Sequence, residues 1–144
     1  MLLVQICRAH RNLVSTALDT LGVHAGQDYA LYQLAVREGS AQSELAEALC
    51  VDPSTVTKML VRLERDGLIV RRSDIQDGRV SRVYLTERGT ALVQPVVDIW
   101  NRTEARLEAG LGDAERLLLR RLLLQVLENL GRSGKPMAGC DNVI

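Results

Sequence analysis

The stretch DPSTVTKMLVRLERDG, residues 52–67, carries the start and stop signals of a single helix. Asp52 is a favoured N-cap residue, Pro53 suits the first helical position because an N–H would have no partner there, and Gly67 permits a left-handed stop. At about 100° per residue, one arc of this helix is apolar and consists of Val56, Met59, Leu60 and Leu63. The opposite arc consists of Ser54, Thr57, Lys58, Val61, Arg62 and Arg65, with Thr55 at its margin. We predict an amphipathic helix that keeps its apolar arc in the core and presents hydroxyl groups and cations outside.

A short helix precedes this one. Residues 41–50, AQSELAEALC, form a helical pattern that Ser40 can cap. Its buried side consists of Leu45, Ala46 and Leu49. With a connection of about four residues, this spacing predicts a helix-turn-helix, in which Ala46 is the small residue at the close crossing and Val56 and Met59 lock the second helix. Hydroxyls and cations on that second helix would reach base edges and phosphates in a major groove. The alternative interpretation of its outer face is an ordinary solvated surface.

The segment after residue 67 changes from a helical to a strand pattern. Two β-rich runs, residues 68–72 and 80–85, are joined by a polar loop that contains the turn dipeptide Asp77–Gly78. We predict a two-stranded hairpin, which makes the unit a winged helix-turn-helix. Arg79 at the tip is placed to enter the negatively charged minor groove, with Asp77 holding its guanidinium. The alternative interpretation of Asp77–Gly78 is an ordinary turn.

Helical patterns fill most of the remaining chain. The first covers residues 2–21, and the next covers about residues 26–38 with Leu31, Leu34 and Ala35 facing inward. Thr86 can cap a long helix through about residue 109, which Pro95 should kink or locally break. A last helix, residues 113–130, has leucine on nearly all sides, which is more apolar surface than one small domain can cover.

These elements predict a mainly α fold with a small β-hairpin wing. We expect helical regions over residues 1–22 and 110–131, a winged helix-turn-helix domain over residues 23–86, a long connecting helix over residues 87–109, and a flexible tail over residues 132–144. Dimerisation is expected because obligate dimer interfaces bury leucine-rich surface of this kind. Two copies would then present two helices of the kind predicted over residues 52–67, the recognition helices, to DNA half-sites about one helical turn apart.

Composition excludes several classes of protein. The chain has 144 residues, no net charge and no Phe, so one domain with an aliphatic core is expected. Residues 54–86 nevertheless hold seven basic and four acidic residues, a local charge of +3. The sequence contains neither an apolar stretch of membrane-spanning length nor a signal-peptide pattern, so we expect a cytoplasmic protein with no membrane partner. It also lacks Ser/His/Asp, His-Glu-x-x-His and Gly-rich phosphate motifs, so we expect neither an enzyme nor a bound cofactor.

Four pieces of the chain form a longer pattern: SELAEAL, DPSTVTKMLVRLERDGLIVRR, DGR followed by VYLTERG, and the L-x-x-x-E-R entry to the last helix. In these pieces the chain resembles the MarR family of bacterial transcription regulators, over about residues 2–131. The resemblance implies a homodimeric winged helix-turn-helix protein whose first and last helices, in residues 1–22 and 110–131, form a helical dimerisation region. It also implies binding to pseudo-palindromic operators in double-stranded DNA, usually as a repressor released by a small molecule or by oxidation. By position it implies the following DNA-binding residues: Gln42, Ser43, Ser54, Thr55, Thr57, Lys58, Arg62, Asp77 and Arg79.

The chain departs from the family pattern at two positions. Cys50 occupies the interhelical turn where glycine is common, and His24 stands where the family often caps the second helix with threonine. The first departure bears on the geometry of the turn, and the second on the strength of the cap.

The resemblance also implies an effector site between the DNA-binding domain and the dimerisation helices. The residues that could line it, and offer a cation and aromatic rings to an anionic aromatic ligand, are His10, Arg11, Tyr29, Tyr32 and Trp100. The alternative is that these aromatic rings belong to the core or to an interface.

Three further alternatives concern regulation and partners. Oxidant-sensing relatives use an N-terminal cysteine, so Cys7 is the candidate for a redox switch, although we expect a buried and inert thiol there. His10 and His24 lack the clustered partners that a metal site requires, so no metal is expected. Finally, the whole chain could be a winged-helix module that binds protein instead of DNA.

Overall fold

The chain folds into six α-helices and a three-stranded antiparallel sheet within residues 1–131, the part that the computed structural model describes. In chain order the elements are α1 (Leu2–Asp19), α2 (Gln27–Val36), β1 (Ser40–Ala41), α3 (Gln42–Ala48), α4 (Pro53–Arg65), β2 (Ile69–Ser73), β3 (Ser81–Leu85), α5 (Glu87–Leu107) and α6 (Asp113–Gly131). The predicted mainly α fold with a β wing is confirmed. Within the same residues no helix is both long and apolar enough to cross a membrane. The predicted tail, residues 132–144, with Cys140, lies outside the described residues.

Helix α4 begins and ends where the sequence predicts. Asp52 Oδ1 accepts the backbone N–H of Thr55 at 3.0 Å, Pro53 is the first helical residue, and Gly67 follows the helix with a φ of 69°. The turn between α3 and α4 requires the same left-handed conformation at Cys50, whose φ is 52°. A residue with a Cβ adopts this region at a cost of about 1–2 kcal/mol. The turn therefore keeps the geometry that favours glycine, although cysteine occupies it.

The sheet has one strand more than the predicted hairpin. Its order is β1–β3–β2, and β1 joins through Ser40 opposite Val83. Because β1 has only two residues, no alternating pattern could reveal it in the sequence. The predicted cap of α3 by Ser40 is therefore wrong: its Oγ donates to the carbonyl oxygen of Arg37 at 2.7 Å. Glu44 instead accepts the N–H of Ala41, the residue before α3, at 2.6 Å.

One aliphatic core joins α2, α3, α4, α5 and the sheet. Its fully buried side chains include Leu31, Leu45, Leu60, Leu63, Val83 and Val96. Leu31 and Leu34 face inward as predicted, but Ala35 is exposed, because the buried arc of α2 passes through Ala30 instead. The wing and α4 are thus attached to a single packed unit.

Helix α5 continues through Pro95, so the predicted local break is wrong. Thr86 caps the helix as predicted, since its Oγ1 accepts the N–H of Gly89 at 3.1 Å. Beyond the proline, Val96 and Ile99 are buried in the core. Packing on that side holds the helix together where the proline removes an N–H.

Helix α6 has no buried residue in the single chain. Its leucines range in exposure from 36% at Leu119 to 70% at Leu117, and α1 exposes Leu2, Leu3 and Ile6 at its N-terminal end. An apolar surface of this size is typical of a protein–protein interface.

Candidate nucleic-acid interface

The outer face of α4 is exposed along its whole length. Val56, Leu60 and Leu63 hold the opposite face in the core, each with no exposed surface. That packing directs the predicted contact residues into solvent: Ser54, Thr55, Thr57, Lys58 and Arg62. A helix anchored on one side and polar on the other matches the predicted recognition helix.

The first two hydroxyls of this face are already engaged as donors. Ser54 Oγ donates to Asp52 Oδ1 at 2.5 Å, and Thr55 Oγ1 donates to Asp52 Oδ2 at 2.6 Å. The bond from Ser54, followed by those from Thr55, holds the pKa of the Asp52 carboxyl well below its usual range. With their protons directed at Asp52, these hydroxyls face outward as hydrogen-bond acceptors, which suits the amino groups of adenine or cytosine.

Gln42 and Thr57 connect the two helices of the helix-turn-helix. Gln42 Nε2 donates to Thr57 Oγ1 at 2.7 Å, while the same hydroxyl donates to the carbonyl oxygen of Pro53 at 2.8 Å. Sequence reasoning placed both side chains on DNA but did not foresee this bond, because it joins residues 15 positions apart. Ser43 lies exposed beside Gln42 at the start of α3. The bond fixes α4 relative to α3 before any ligand binds.

Three of the four acids of the basic region, residues 54–86, are paired with arginines. Arg65 Nε lies 3.0 Å from Asp66, Arg71 Nε lies 2.9 Å from Glu64, and Arg82 pairs with Asp74. The hydrogen bond from Arg71 lowers the pKa of the Glu64 carboxyl. These pairs neutralise part of the positive charge that the sequence places in this region.

Three cations of the region have no side-chain partner among residues 1–131. Arg72 lies over the ring of Tyr84, at 5.2 Å from its centroid, and the arginines named above are paired. The unpartnered side chains are Lys58, Arg62 and Arg79, all exposed. These three unpartnered cations therefore lie on the outer face of α4 and at the wing tip.

Asp77 holds the backbone of the wing tip and not the guanidinium that we predicted. Its Oδ1 accepts the backbone N–H of Arg79 at 3.0 Å, and no ion pair joins the two side chains. The short Asp-Gly-Arg spacing favours this local bond, which shapes the turn. The Arg79 side chain consequently extends into solvent.

A cavity of about 420 Å³ lies between α1, the start of α2, the end of α5 and the middle of α6. His10, Arg11 and Tyr29 line it as predicted, whereas Tyr32 and Trp100 do not. Those two rings lie behind the lining: Trp100 packs on Tyr29 with centroids 4.8 Å apart and contacts Tyr32 at 5.4 Å. The alternative that the aromatic rings serve packing therefore holds for two of the three, Tyr32 and Trp100.

The lining includes residues that sequence reasoning did not assign to the site. Asp28 lines the cavity and accepts the indole N–H of Trp100 at 3.0 Å and the N–H of Gly26 at 2.8 Å. Its position two residues after a glycine was the available signal, since Asp often bonds the nearby backbone in turns. Leu107 and Leu123 also line the cavity, and no local pattern could place these two helices beside α1.

Cys7 is exposed and lines the same cavity, so the expected buried thiol is wrong for the single chain. Cys7 lies on the part of α1 that borders the cavity, whereas Ala17 and Leu18, further along the helix, pack in the core. No group of three or more His, Cys, Asp or Glu side chains within residues 1–131 is arranged to hold a metal ion.

Comparisons with known proteins match the winged helix-turn-helix described above. A model of the MarR family matches residues 26–81. A crystal structure of MarR aligns with a TM-score of 0.75 and 30% identity, over 92% of this chain and 90% of that one. The structure of S. aureus MepR in complex with DNA aligns with a TM-score of 0.81 and 28% identity, over 90% of this chain and 95% of that one.

A relative from Thauera aromatica, provisionally named a transcriptional regulatory protein for the hcr operon, is 35% identical over 108 residues, which are 75% of this chain and 65% of that protein. The chain spans between 54 and 65% of the length of the curated relatives it matches. Because its winged unit matches the family model and 90% of a MarR structure aligns with it at 30% identity, the chain belongs to the MarR family.

Proposed function

We propose that this chain is a sequence-specific regulator of transcription that binds double-stranded DNA. The observation that carries the proposal is a set of cations on one helix face and one wing tip of a winged helix-turn-helix. Within residues 1–131, these side chains have no protein partner: Lys58, Arg62 and Arg79. Phosphates can neutralise such charges, and the release of their counterions drives binding. The similarity to MepR, whose structure contains DNA, supports the same class of partner.

In this proposal α4 lies in the major groove and the wing follows the backbone. Ser54 and Thr55, at the start of α4, accept hydrogen bonds from base amino groups, and Lys58 and Arg62 reach guanine or phosphate. Arg79 enters the adjacent minor groove, where the negative potential is strongest when the groove is narrow. Gln42 and Ser43 approach the phosphates at the start of α3.

We infer that two copies join through α1 and α6 and bind a pseudo-palindromic operator. The exposed leucines of α6 support this assembly, because a second copy would remove them from water. Such a dimer places its two α4 helices on half-sites about one helical turn apart. Occupying a promoter in this way blocks polymerase, so we propose a repressor that acts in the cytoplasm, on the bacterial chromosome.

Selection of duplexes from a random DNA pool, at low and moderate salt, tests the proposal directly. A pseudo-palindrome with the expected spacing supports it. Selection of no common sequence contradicts it and favours the alternative of a protein-binding winged helix, which predicts that the unpartnered cations are individually dispensable.

Arg79→Ala and Lys58→Ala should each weaken operator binding, by about 5-fold to 100-fold, because each removes one contact to DNA. For Lys58 the loss should be nearly uniform across sequences, and the slope of log K against log salt should fall by about 1. Fluorescence anisotropy at several salt concentrations measures both quantities. Arg106→Ala is a charge-matched control, since Arg106 is exposed near the end of α5; equal salt slopes for Lys58→Ala and the control would contradict the assignment.

We propose further that a small aromatic anion in the cavity releases the protein from DNA. The cavity combines an apolar lining with the cation of Arg11 and the imidazole of His10. It also borders Gly26, where an added Cβ would lie 3.7 Å from Met59 Cε on α4. A ligand there touches a segment that packs against the recognition helix.

Benzoate, as a simple aromatic carboxylate, should lower operator affinity in the wild type, and Arg11→Gln should require at least about tenfold more benzoate because the charged hydrogen bond is lost. Anisotropy of labelled operator measures the release. Arg8→Gln is the control, because Arg8 is exposed on α1 but does not line the cavity. Equal sensitivity of both variants would argue against the site. Release by peroxide that Cys7→Ser abolishes would favour the thiol-sensor alternative.

A further inference from the structure

Arg82, near the start of β3, connects the wing loop to the body of the domain. Its Nε bonds to Asp74 Oδ2 at the start of the loop, and its Nη1 donates to the carbonyl oxygen of Gly39 at 2.9 Å. The second bond joins residues 43 positions apart. Gly39 lies between α2 and β1, so the guanidinium spans from the loop to the rigid part of the fold.

Asp74 links Arg82 to the tip of the wing through hydrogen bonds with the loop backbone. Its Oδ1 accepts the backbone N–H groups of Gln76 at 2.7 Å and Asp77 at 3.0 Å, and its own N–H donates to the carbonyl oxygen of Val80 at 2.8 Å. Asp77 in turn holds the backbone N–H of Arg79. An unbroken series of hydrogen bonds therefore runs from Gly39 to the residue that carries the wing cation.

Asp74 is the sheltered member of this ion pair. The Asp74 side chain is only 12% exposed, although it lies in a surface loop. The hydrogen bond from Arg82, and then those from the loop N–H groups, lower the pKa of Asp74 to about 2, while the same bond raises the pKa of Arg82. A lowered carboxyl pKa means that the ion pair is intact at neutral pH and is lost only as the pH falls from about 4 toward 2.

The backbone at Gly39, whose carbonyl oxygen accepts the hydrogen bond from Arg82, is closely packed. An added Cβ at Gly39 would lie 3.0 Å from Tyr84 Cε1, and the Arg72 guanidinium lies 5.2 Å from the centroid of the same ring. Gly39 needs its φ of 73°, which glycine adopts without strain. The carbonyl oxygen that Arg82 contacts is thus fixed in position.

We propose that Arg82 is a positioning residue that acts through Asp74 to hold the wing tip, and with it Arg79, in the geometry that binds DNA. The inference rests on the proposed function, because it concerns how the wing reaches the minor groove. Arg82 differs from the unpartnered cations in that Asp74 and Gly39 already occupy its donors on two sides. Its contribution to DNA binding is therefore indirect.

One substitution distinguishes a positioning role from direct contact with DNA, because the two roles predict opposite changes in DNA affinity. Removal of a negative charge beside DNA normally tightens binding, since a carboxylate repels phosphate. Asp74→Asn keeps the oxygen that accepts the loop N–H groups but turns an amide group toward Arg82, so positioning predicts weaker binding despite the lost charge. Glu47→Gln, an exposed acid on the neighbouring helix α3, is the control and should bind equally or more tightly.

A double-mutant cycle measures the coupling to Arg79. In the wild type Arg79→Ala should cost at least about fivefold in operator affinity; in the Arg82→Gln background it should cost less than about twofold, because the tip is no longer held in place. A full Arg79 effect in that background, or Asp74→Asn binding as tightly as Glu47→Gln, would overturn the proposal. If the wild-type protein does not bind DNA in a sequence-specific way, that result would instead overturn the proposed function.

Amide hydrogen exchange in the free protein tests the positioning role of Arg82 independently of the proposed DNA binding. In the free protein, Arg82→Gln should speed amide hydrogen exchange at Asp77 and Arg79 by about threefold or more, because local opening of the loop becomes easier. Amides of α4 should exchange as in the wild type, which also confirms that the variant is folded. Unchanged exchange at the wing tip would overturn the positioning role whatever the protein binds.

Discussion

Replacement of Gly89 by alanine is expected to lower the free energy of unfolding by about 3 kcal/mol or more. Gly89 lies in the first turn of α5, and an added Cβ would lie 2.0 Å from the carbonyl oxygen of Leu68. That oxygen cannot simply move away, because it accepts the N–H of Thr86 at 3.0 Å. Helix α5 must therefore separate from the strand entry, at the junction where the wing joins the long helix.

Urea unfolding at a fixed protomer concentration measures this effect, since dimerisation makes apparent stability depend on concentration. Gly112→Ala is the matched control: its added Cβ would meet only the flexible end of the Glu115 side chain, at 3.6 Å. If both alanine variants unfold at the same urea concentration, the close approach of α5 to Leu68 is not a stability determinant.

Leu118→Glu combined with Leu123→Glu is expected to convert the protein to a monomer and to lower operator affinity by about 100-fold or more. Both leucines are half exposed in the single chain, and they lie on different arcs of α6. Burying two carboxylates in an apolar interface costs several kcal/mol, which is enough to dissociate a typical dimer. A monomer then binds a single half-site and loses the gain from linking two binding events.

Sedimentation equilibrium gives the mass, and anisotropy gives the affinity for whole and half operators. Val36→Glu is the control, because it makes the same type of change at an exposed apolar residue at the end of α2. A double variant that stays dimeric would contradict the assignment of α6 to the interface. A monomeric variant with full operator affinity would contradict the two-half-site arrangement.

The candidate site was predictable in part because its side chains are arranged by local helical periodicity. The spacing of Val56, Leu60 and Leu63 determines the buried side of α4, and therefore also determines that Lys58 and Arg62 face outward. What periodicity could not show is which polar groups are already engaged. The bonds from Ser54 and Thr55 to Asp52 and the bond between Gln42 and Thr57 change what those side chains can offer to DNA.

In the wing, too, local patterns predicted some features, whereas contacts between distant segments became visible only in the structure. The β-rich runs and the Asp-Gly dipeptide were sufficient to predict the hairpin, but the strand formed by residues 40–41 and the bond from Arg82 to Gly39 join segments about 40 residues apart. The orientation of Asp77 also required the structure, because Asp can bond either a backbone N–H or a nearby guanidinium within the same short turn. Only the folded backbone selects between them.

The sequence by itself determined the helix-turn-helix, the caps of α4 and α5, and the leucine surface of α6, because each depends on propensities and spacing within about 20 residues. The tertiary structure decided the remaining features: which cations are neutralised, how the wing is attached, that α5 continues through Pro95, and which residues surround the cavity. These depend on contacts between distant segments, and the partners in such contacts are set by how the helices and sheet pack around the core, which no local pattern encodes.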